Sequence, residues 1–196
     1  MTKNQLPRTE NIHLLAKPIL HYSIFGVAPR EIMGEESWKE IKKTVQSRAN
    51  HNCEICGRYV PHTSATNDWL HTHEVYDVDH AHREYTFSRF IGICAECHYY
   101  IHQGYLFNLF TQGEISEEYL KDIVDKGDKL LRSMALKKSV NVTIAKPYTL
   151  LYNGERYIND FYPEIALKLH SKGVHILPCE FSLKKLPEEF YYKRKE

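Results

Sequence analysis

Cys53-Glu-Ile-Cys56 and Cys94-Ala-Glu-Cys97-His98-Tyr-Tyr-Ile-His102 decide how this chain is read, with Leu70-His71-Thr72-His73-Glu74 lying between them. Two Cys-x-x-Cys knuckles with 37 residues between them form a zinc signature. Zinc takes four thiolates or imidazoles in a tetrahedral array, and two sharp turns can supply four sulfurs to one ion. Thiol–disulfide exchange needs only one such pair. Cys53, Cys56, Cys94 and Cys97 are therefore expected to hold a structural zinc that clamps the ends of the segment between them. Five cysteines are an odd number, and four fall in knuckles, so thiolate ligands in a reducing cytoplasm are expected rather than disulfides. Cys179 is left over and reads as a small, half-buried apolar residue.

Between the knuckles the pattern is that of strands. Residues 68–77 read as a strand carrying His71 and His73, which share a face because side chains two apart on a strand point the same way. Tyr85-Thr-Phe-Ser-Arg-Phe-Ile-Gly-Ile93 is a second β-prone run ending on Cys94. The two are expected to pair antiparallel through a loop that holds Asp77, Asp79, His80 and His82. Gly57, just past the first knuckle, suits a turn of positive φ. After Cys97 a helix is expected, and there His98 and His102, four apart, would project from one face.

Working outward, Trp38, Ile41, Val45 and Ala49 make one apolar stripe of a helix over 35–49, with Glu35 and Glu36 in its first turn. Lys42, Lys43 and Arg48 read as a solvated face, with phosphate contact as the alternative. Gly104 ends or bends the helix after the second knuckle, and Leu106, Phe107, Leu109 and Phe110 form an apolar connection. Ser116 caps a further helix that runs to about Met134, with Gly127 weakening its middle. From Lys138 the pattern turns to strands: Val140, Val142 and Ile144 alternate with polar residues. Thr149–Tyr152, Asn153-Gly154 and Glu155–Ile158 then read as a hairpin with a type I′ turn. Residues 1–14 look loosely ordered, 19–25 extended, 61–67 a polar loop and 161–170 a short helix. No internal repeat or low-complexity segment is present.

The chain of 196 residues is expected to form one domain, or one domain with a sizeable appendage. The expected division is an N-terminal extension over 1–34, a zinc-bearing domain over 35–137 and a β-rich C-terminal extension over 138–196. Twenty-six Lys and Arg stand against 25 Asp and Glu, for a net charge of +1. Nucleic-acid affinity rests on phosphate neutralisation, so any nucleic-acid site here must be local or shared with a partner. No run of eighteen apolar residues exists to span a membrane, and Met1-Thr-Lys-Asn-Gln-Leu-Pro7 has no signal-peptide apolar region. A cytoplasmic protein without a small-molecule cofactor is the expectation.

The histidines raise a second chemistry. A hydrolytic metal held by few protein ligands stabilises the negative charge that develops on a cleaved phosphodiester, and a neutral His takes the proton from water. A strand-borne His opposite a helix with two His four apart supplies both parts. The order Cys-x-x-Cys, strand His, second strand, Cys-x-x-Cys-His-x-x-x-His resembles the HNH endonuclease family, in a zinc-knuckle branch. The helix with Trp38 and Ile41 leading into Cys53 is also similar to that branch. The likeness covers roughly 35–135 and implies an α+β protein: a ββα-metal core with structural zinc, flanking helices and a C-terminal β-hairpin region. It implies a DNA phosphodiesterase with His73 as general base. A catalytic Mg²⁺, Mn²⁺, Ni²⁺ or Zn²⁺ would be held by His98, His102 and His71. Thr72 stands where the family places its first metal ligand, and His71 is the substitute on the same strand face. Arg89 stands near the family's orienting Asn and would contact the scissile phosphate. Asp79-His80 is a second-ranked match to the family's Asp-His dipeptide. The alternative is a catalytically inactive zinc module that binds nucleic acid or a protein. The C-terminal third is expected to pack on and complete the core, with a larger protein partner docked on it as a further alternative.

Overall fold

The computed structural model describes residues 9–17, 24, 27–61, 69–138 and 148–158. Among them are five helices and a four-stranded sheet, a mixed α+β chain. The helices are α1 (Thr9–Ala16), α2 (Pro29–Arg48), α3 (Ala95–Ile101), α4 (Gln103–Thr111) and α5 (Glu117–Ser133). The strands are β1 (His71–Asp79), β2 (Glu84–Ile93), β3 (Thr149–Tyr152) and β4 (Glu155–Tyr157), in the spatial order β1-β2-β3-β4. The connection from β1 to β2 is a tight turn, which only antiparallel pairing permits. The expected segments at 19–25 (Ile24 apart), 62–67, 140–144 and 161–170, and Cys179, lie outside the described residues.

Two compact units divide the chain. The first comprises residues 1–19, 39–75 and 90–141, and the second residues 20–38, 76–89 and 142–196. Both draw on β1 and β2, so the division is interleaved along the chain.

In the first unit the core is built by Ile12, Leu15, Ile55, Val60, Ile91, Ile93, Tyr100, Leu106, Ile123 and Leu131, each at most 3% exposed. Burying each such side chain contributes roughly 1.5–3 kcal/mol. From Thr9 on, α1 corrects the expectation of a loosely ordered start over 1–14, of which residues 1–8 lie outside the described residues. Eight residues are too few for a helix stable by itself, and this one is held because Ile12 and Leu15 are buried. Asn11 Nδ2 also donates to the carbonyl of Glu54 at 2.9 Å. α4 corrects the expected connection: Leu106 and Leu109 are its buried face, while Phe107 points to solvent at 48% exposure.

α5 begins as its residues dictate. The Ser116 hydroxyl accepts from the Tyr119 amide at 3.1 Å, and Glu117 and Glu118 fill the first turn. Ile123, Gly127 and Leu131, four apart, are its buried line. Gly127 therefore has a packing role: a methyl built there would overlap the ring of Tyr100. The Tyr100 hydroxyl donates to Asp128 Oδ1 at 2.5 Å, and Lys138 Nζ donates to the Tyr100 carbonyl at 2.8 Å. Gly127→Ala should thus destabilise the protein by about 1–3 kcal/mol through overpacking, although alanine is the better helix former by about 1 kcal/mol. A urea midpoint equal to or above wild type would contradict this contact.

Burial pushes the Lys138 ammonium down to about 8. From pH ~8 to ~10.5 the unfolded chain keeps this proton and the folded chain releases it, so the Lys138 contribution to stability rises with pH. The stability of wild type minus that of Lys138→Met should climb by about 1–2 kcal/mol from pH 7 to pH 10.5. A flat or falling difference in urea titrations would overturn the assignment.

The second unit is built around aromatic rings. Tyr76, Tyr85, Tyr148 and Leu150 are buried, and the Tyr85 and Tyr148 centroids are 5.0 Å apart. Asn153 and Gly154 both have positive φ, 52° and 81°, as a type I′ turn requires. The hairpin is thus present as expected, with Leu150 opposite Tyr157. Its placement was not legible: β3 lies parallel to β2, with Tyr85 opposite Leu150. α2 starts before its expected limit, at Pro29, and a break at Gly34 (φ 80°) makes the expected 35–49 helix its second limb.

Candidate metal centre

The two knuckles meet. The sulfurs of Cys53, Cys56, Cys94 and Cys97 all lie within 4.8 Å of one another, and none is in a disulfide. Cys53 to Gly57 is a tight turn: the Gly57 amide donates to the Cys53 carbonyl at 2.9 Å, with Gly57 at φ 75°. The Cys56 amide points at Cys53 Sγ at 3.5 Å. Cys94 is the residue capping the start of α3, so β2 delivers one sulfur and the first turn of α3 the other.

The donor set fits one zinc ion. Cys56 Sγ and Cys94 Sγ are 3.7 Å apart, close to the ~3.8 Å edge of a tetrahedron with ~2.3 Å bonds to sulfur. Hydrogen bonds from Cys56, Cys94 and Cys97 hold the Cys53 thiol well below its ordinary range. The hydrogen bond with Cys53, then those with Cys56 and Cys94, push the Cys97 thiol well above it. Cys53 and Cys94 are shifted toward the thiolate, while Cys56 and Cys97 are pushed the other way by their neighbours and by burial. A divalent cation removes that conflict, because buried negative charges need a counter-charge.

A residue with no role in the sequence reading anchors the first knuckle. Glu54 is 6% exposed, and its Oε2 accepts from the Gly92 amide at 2.6 Å and from Arg48 Nη2 at 3.1 Å. The Glu54 amide in turn donates to the Gly92 carbonyl at 2.8 Å. The knuckle is thus tied to the end of β2 and to the last turn of α2. A carboxylate between two knuckle cysteines was the available signal, but only tertiary contact shows what it meets.

The histidines form a second group. One ring nitrogen each from His73, His98 and His102 lies within 4.8 Å of the others. The ring centroids are 5.5 Å apart for His73 and His98, 5.2 Å for His73 and His102, and 4.7 Å for His98 and His102. The helix differs from expectation in two ways. It starts at Ala95, before Cys97, and His102 is its C-terminal cap (φ −97°, ψ 55°), at the break before α4. The His102 amide still donates to the His98 carbonyl at 3.0 Å, which keeps the two rings one turn apart.

His71 is the expected ligand that falls outside this group. Its ring lies 4.9 Å from that of His98 and stacks at 6.2 Å on Trp69. His73 sits one step deeper along β1, at 9% exposure. Three imidazoles on one ion with a free coordination position is the arrangement of hydrolytic metal sites, so this donor set also fits a divalent cation. Arg89 is an exposed residue of β2 in the second unit. Asp79 and His80 lie at the β1–β2 turn, also in the second unit, where Asp79 Oδ2 pairs with His82 Nδ1 at 2.6 Å and His80 Nδ1 meets the Tyr148 hydroxyl at 3.0 Å. Among the described residues no helix is long and apolar enough to cross a membrane.

Comparison of the chain with protein-family models, with curated proteins and with solved structures found no match.

Proposed function

We propose that this chain is a metal-dependent nuclease of the HNH type, with β1, β2 and α3 as its ββα-metal core. The observation that carries this reading is the convergence of His73, His98 and His102 beside a separate cluster of four cysteines. A structural site that has all its thiolates needs no histidines. Three imidazoles gathered from a strand and a helix end therefore call for a second use.

The roles follow from position. His73, His98 and His102 would hold a divalent ion. Bound there, that ion supplies Lewis-acid stabilisation of the charge that builds on a phosphodiester as it is cleaved. His71 is the general base in this reading, exchanged with His73 relative to the sequence expectation. Its ring is adjacent to the group without belonging to it, and it is half-buried on the same strand. A neutral imidazole near pH 7 takes a proton from the attacking water. The cysteine clamp keeps the start of α3 fixed against the end of β2, and so holds His98 opposite β1.

The experiment is a cleavage assay on plasmid and oligonucleotide substrates with added Mg²⁺, Mn²⁺, Ni²⁺ or Zn²⁺, beside a count of bound metal. Hydrolysis that depends on the added ion, with two ions per chain at saturation, is expected. One tightly held zinc and no hydrolysis with any ion would leave a zinc module that binds without cutting.

A further inference from the structure

Four aromatic rings run outward from the histidine group within the first unit. Trp69 lies two residues before the start of β1, and its ring plane is 14° from that of His71. His71 meets Tyr99 of α3 at 6.3 Å, and Tyr99 meets Tyr105 of α4 at 5.9 Å. Both ends of the row are open to solvent: Trp69 and Tyr105 are each 44% exposed. Large aromatic side chains left exposed in a connected row, rather than singly, mark a binding surface.

The chemistry of that surface is unusual for a protein that handles nucleic acid. From Tyr99 to Gly113 the chain has no Lys, Arg, Asp or Glu, so α4 presents apolar and aromatic groups with no cation for phosphate. The chain as a whole carries a net charge of only +1. Duplex DNA hides the faces of its bases and offers phosphates. An unpaired strand offers base faces, which stack on aromatic rings whatever the sequence.

We infer that Trp69, His71, Tyr99 and Tyr105 form a base-stacking platform that presents an unpaired nucleic-acid strand to His73, His98 and His102. The substrate class is therefore single-stranded nucleic acid, or an unpaired segment of a duplex. This rests on the nuclease reading for the phosphodiester that is cut, but the platform itself can be tested apart from cleavage.

The test uses the full zinc-loaded chain with His102→Ala to prevent turnover. Its binding is followed by fluorescence anisotropy with labelled oligodeoxythymidylate, oligouridylate and a DNA duplex of equal length. The unpaired strands should bind at least about tenfold more tightly than the duplex. Adding Trp69→Ala should weaken that binding by between about fivefold and about a hundredfold. Trp69→Phe should restore most of it, which separates stacking from a folding defect, and Tyr105→Ala should weaken it independently. Equal or tighter duplex binding, or affinity unchanged by both alanine variants, overturns the platform. The comparison of the two oligonucleotides tells DNA from RNA. Cleavage assays on the wild type separate this inference from the one beneath it. Duplex cut while unpaired strands are spared refutes the platform and keeps the nuclease. Trp69-dependent binding of unpaired strands with no cleavage under any divalent ion refutes the nuclease and keeps the platform.

Discussion

Replacing Cys94 with serine is expected to unfold the first compact unit, and removing the metal from the wild type with a chelator is expected to do the same. Cys94 is fully buried between the end of β2 and the start of α3, and its sulfur is one of four that share a single ion in this reading. The other sulfurs come from a knuckle that Glu54 ties to Gly92 and Arg48. Losing the ion therefore frees the first knuckle from the junction of β2 and α3 and leaves buried thiolates without their counter-charge. Structural zinc sites contribute about 10–16 kcal/mol at neutral pH, against a typical total stability of about 5–15 kcal/mol. The loss is thus of the same size as the whole stability of a typical domain. Circular dichroism melts with parallel zinc analysis read the result. A cooperative melt within a few degrees of wild type in metal-free Cys94→Ser would refute the clamp. Cys56 is the half-buried member and borders a cavity of about 350 Å³ beside Tyr100 and Ile123. Chelators and thiol reagents are expected to enter on that side.

The second large effect concerns activity. His98→Ala or His102→Ala should lower cleavage by at least about a thousandfold, equivalent to ~4 kcal/mol of transition-state stabilisation. Both should leave one tightly held zinc and a near-wild-type melt, because neither residue belongs to the cysteine cluster. His71→Ala should behave differently. Loss of a general base costs about 10²–10⁴-fold, but the count of bound ions should remain two, since His71 lies outside the three-histidine group. His73→Gln should cost an ion, as His98→Ala does. If His73→Gln keeps two ions and His71→Ala keeps one, the roles revert to those expected from the sequence. Full activity in His98→Ala would remove the histidine group from the reaction altogether.

Local chemistry wrote much of the fold in plain view. The Cys-x-x-Cys turns, the Ser116 cap and the Asn153-Gly154 turn each depend on a few adjacent residues, and each is present as read. The alternation of β1 put His71 and His73 on one face, and helical spacing put His98 one turn from His102. These are properties of period and propensity, which a chain carries whatever it packs against.

What the tertiary structure alone decided is how far along β1 the helix end sits. A strand advances about 6.6 Å between residues two apart, so both histidines of one face can reach His98, at 4.9 Å between ring centroids for His71 and 5.5 Å for His73, while His73 also meets His102 at 5.2 Å. Packing chose His73 for the group with His98 and His102 and left His71 beside it. The same holds for α1, too short to be stable until Ile12 and Leu15 were buried, and for Gly127, a weak helix residue until Tyr100 packs on it. Glu54 and the parallel seating of β3 on β2 complete the set. In each case the partner is distant in sequence, and no periodicity encodes a distant contact. The amino-acid sequence by itself determined which residues could bind metal. The packing of β1 against α3 determined which three of the histidines meet.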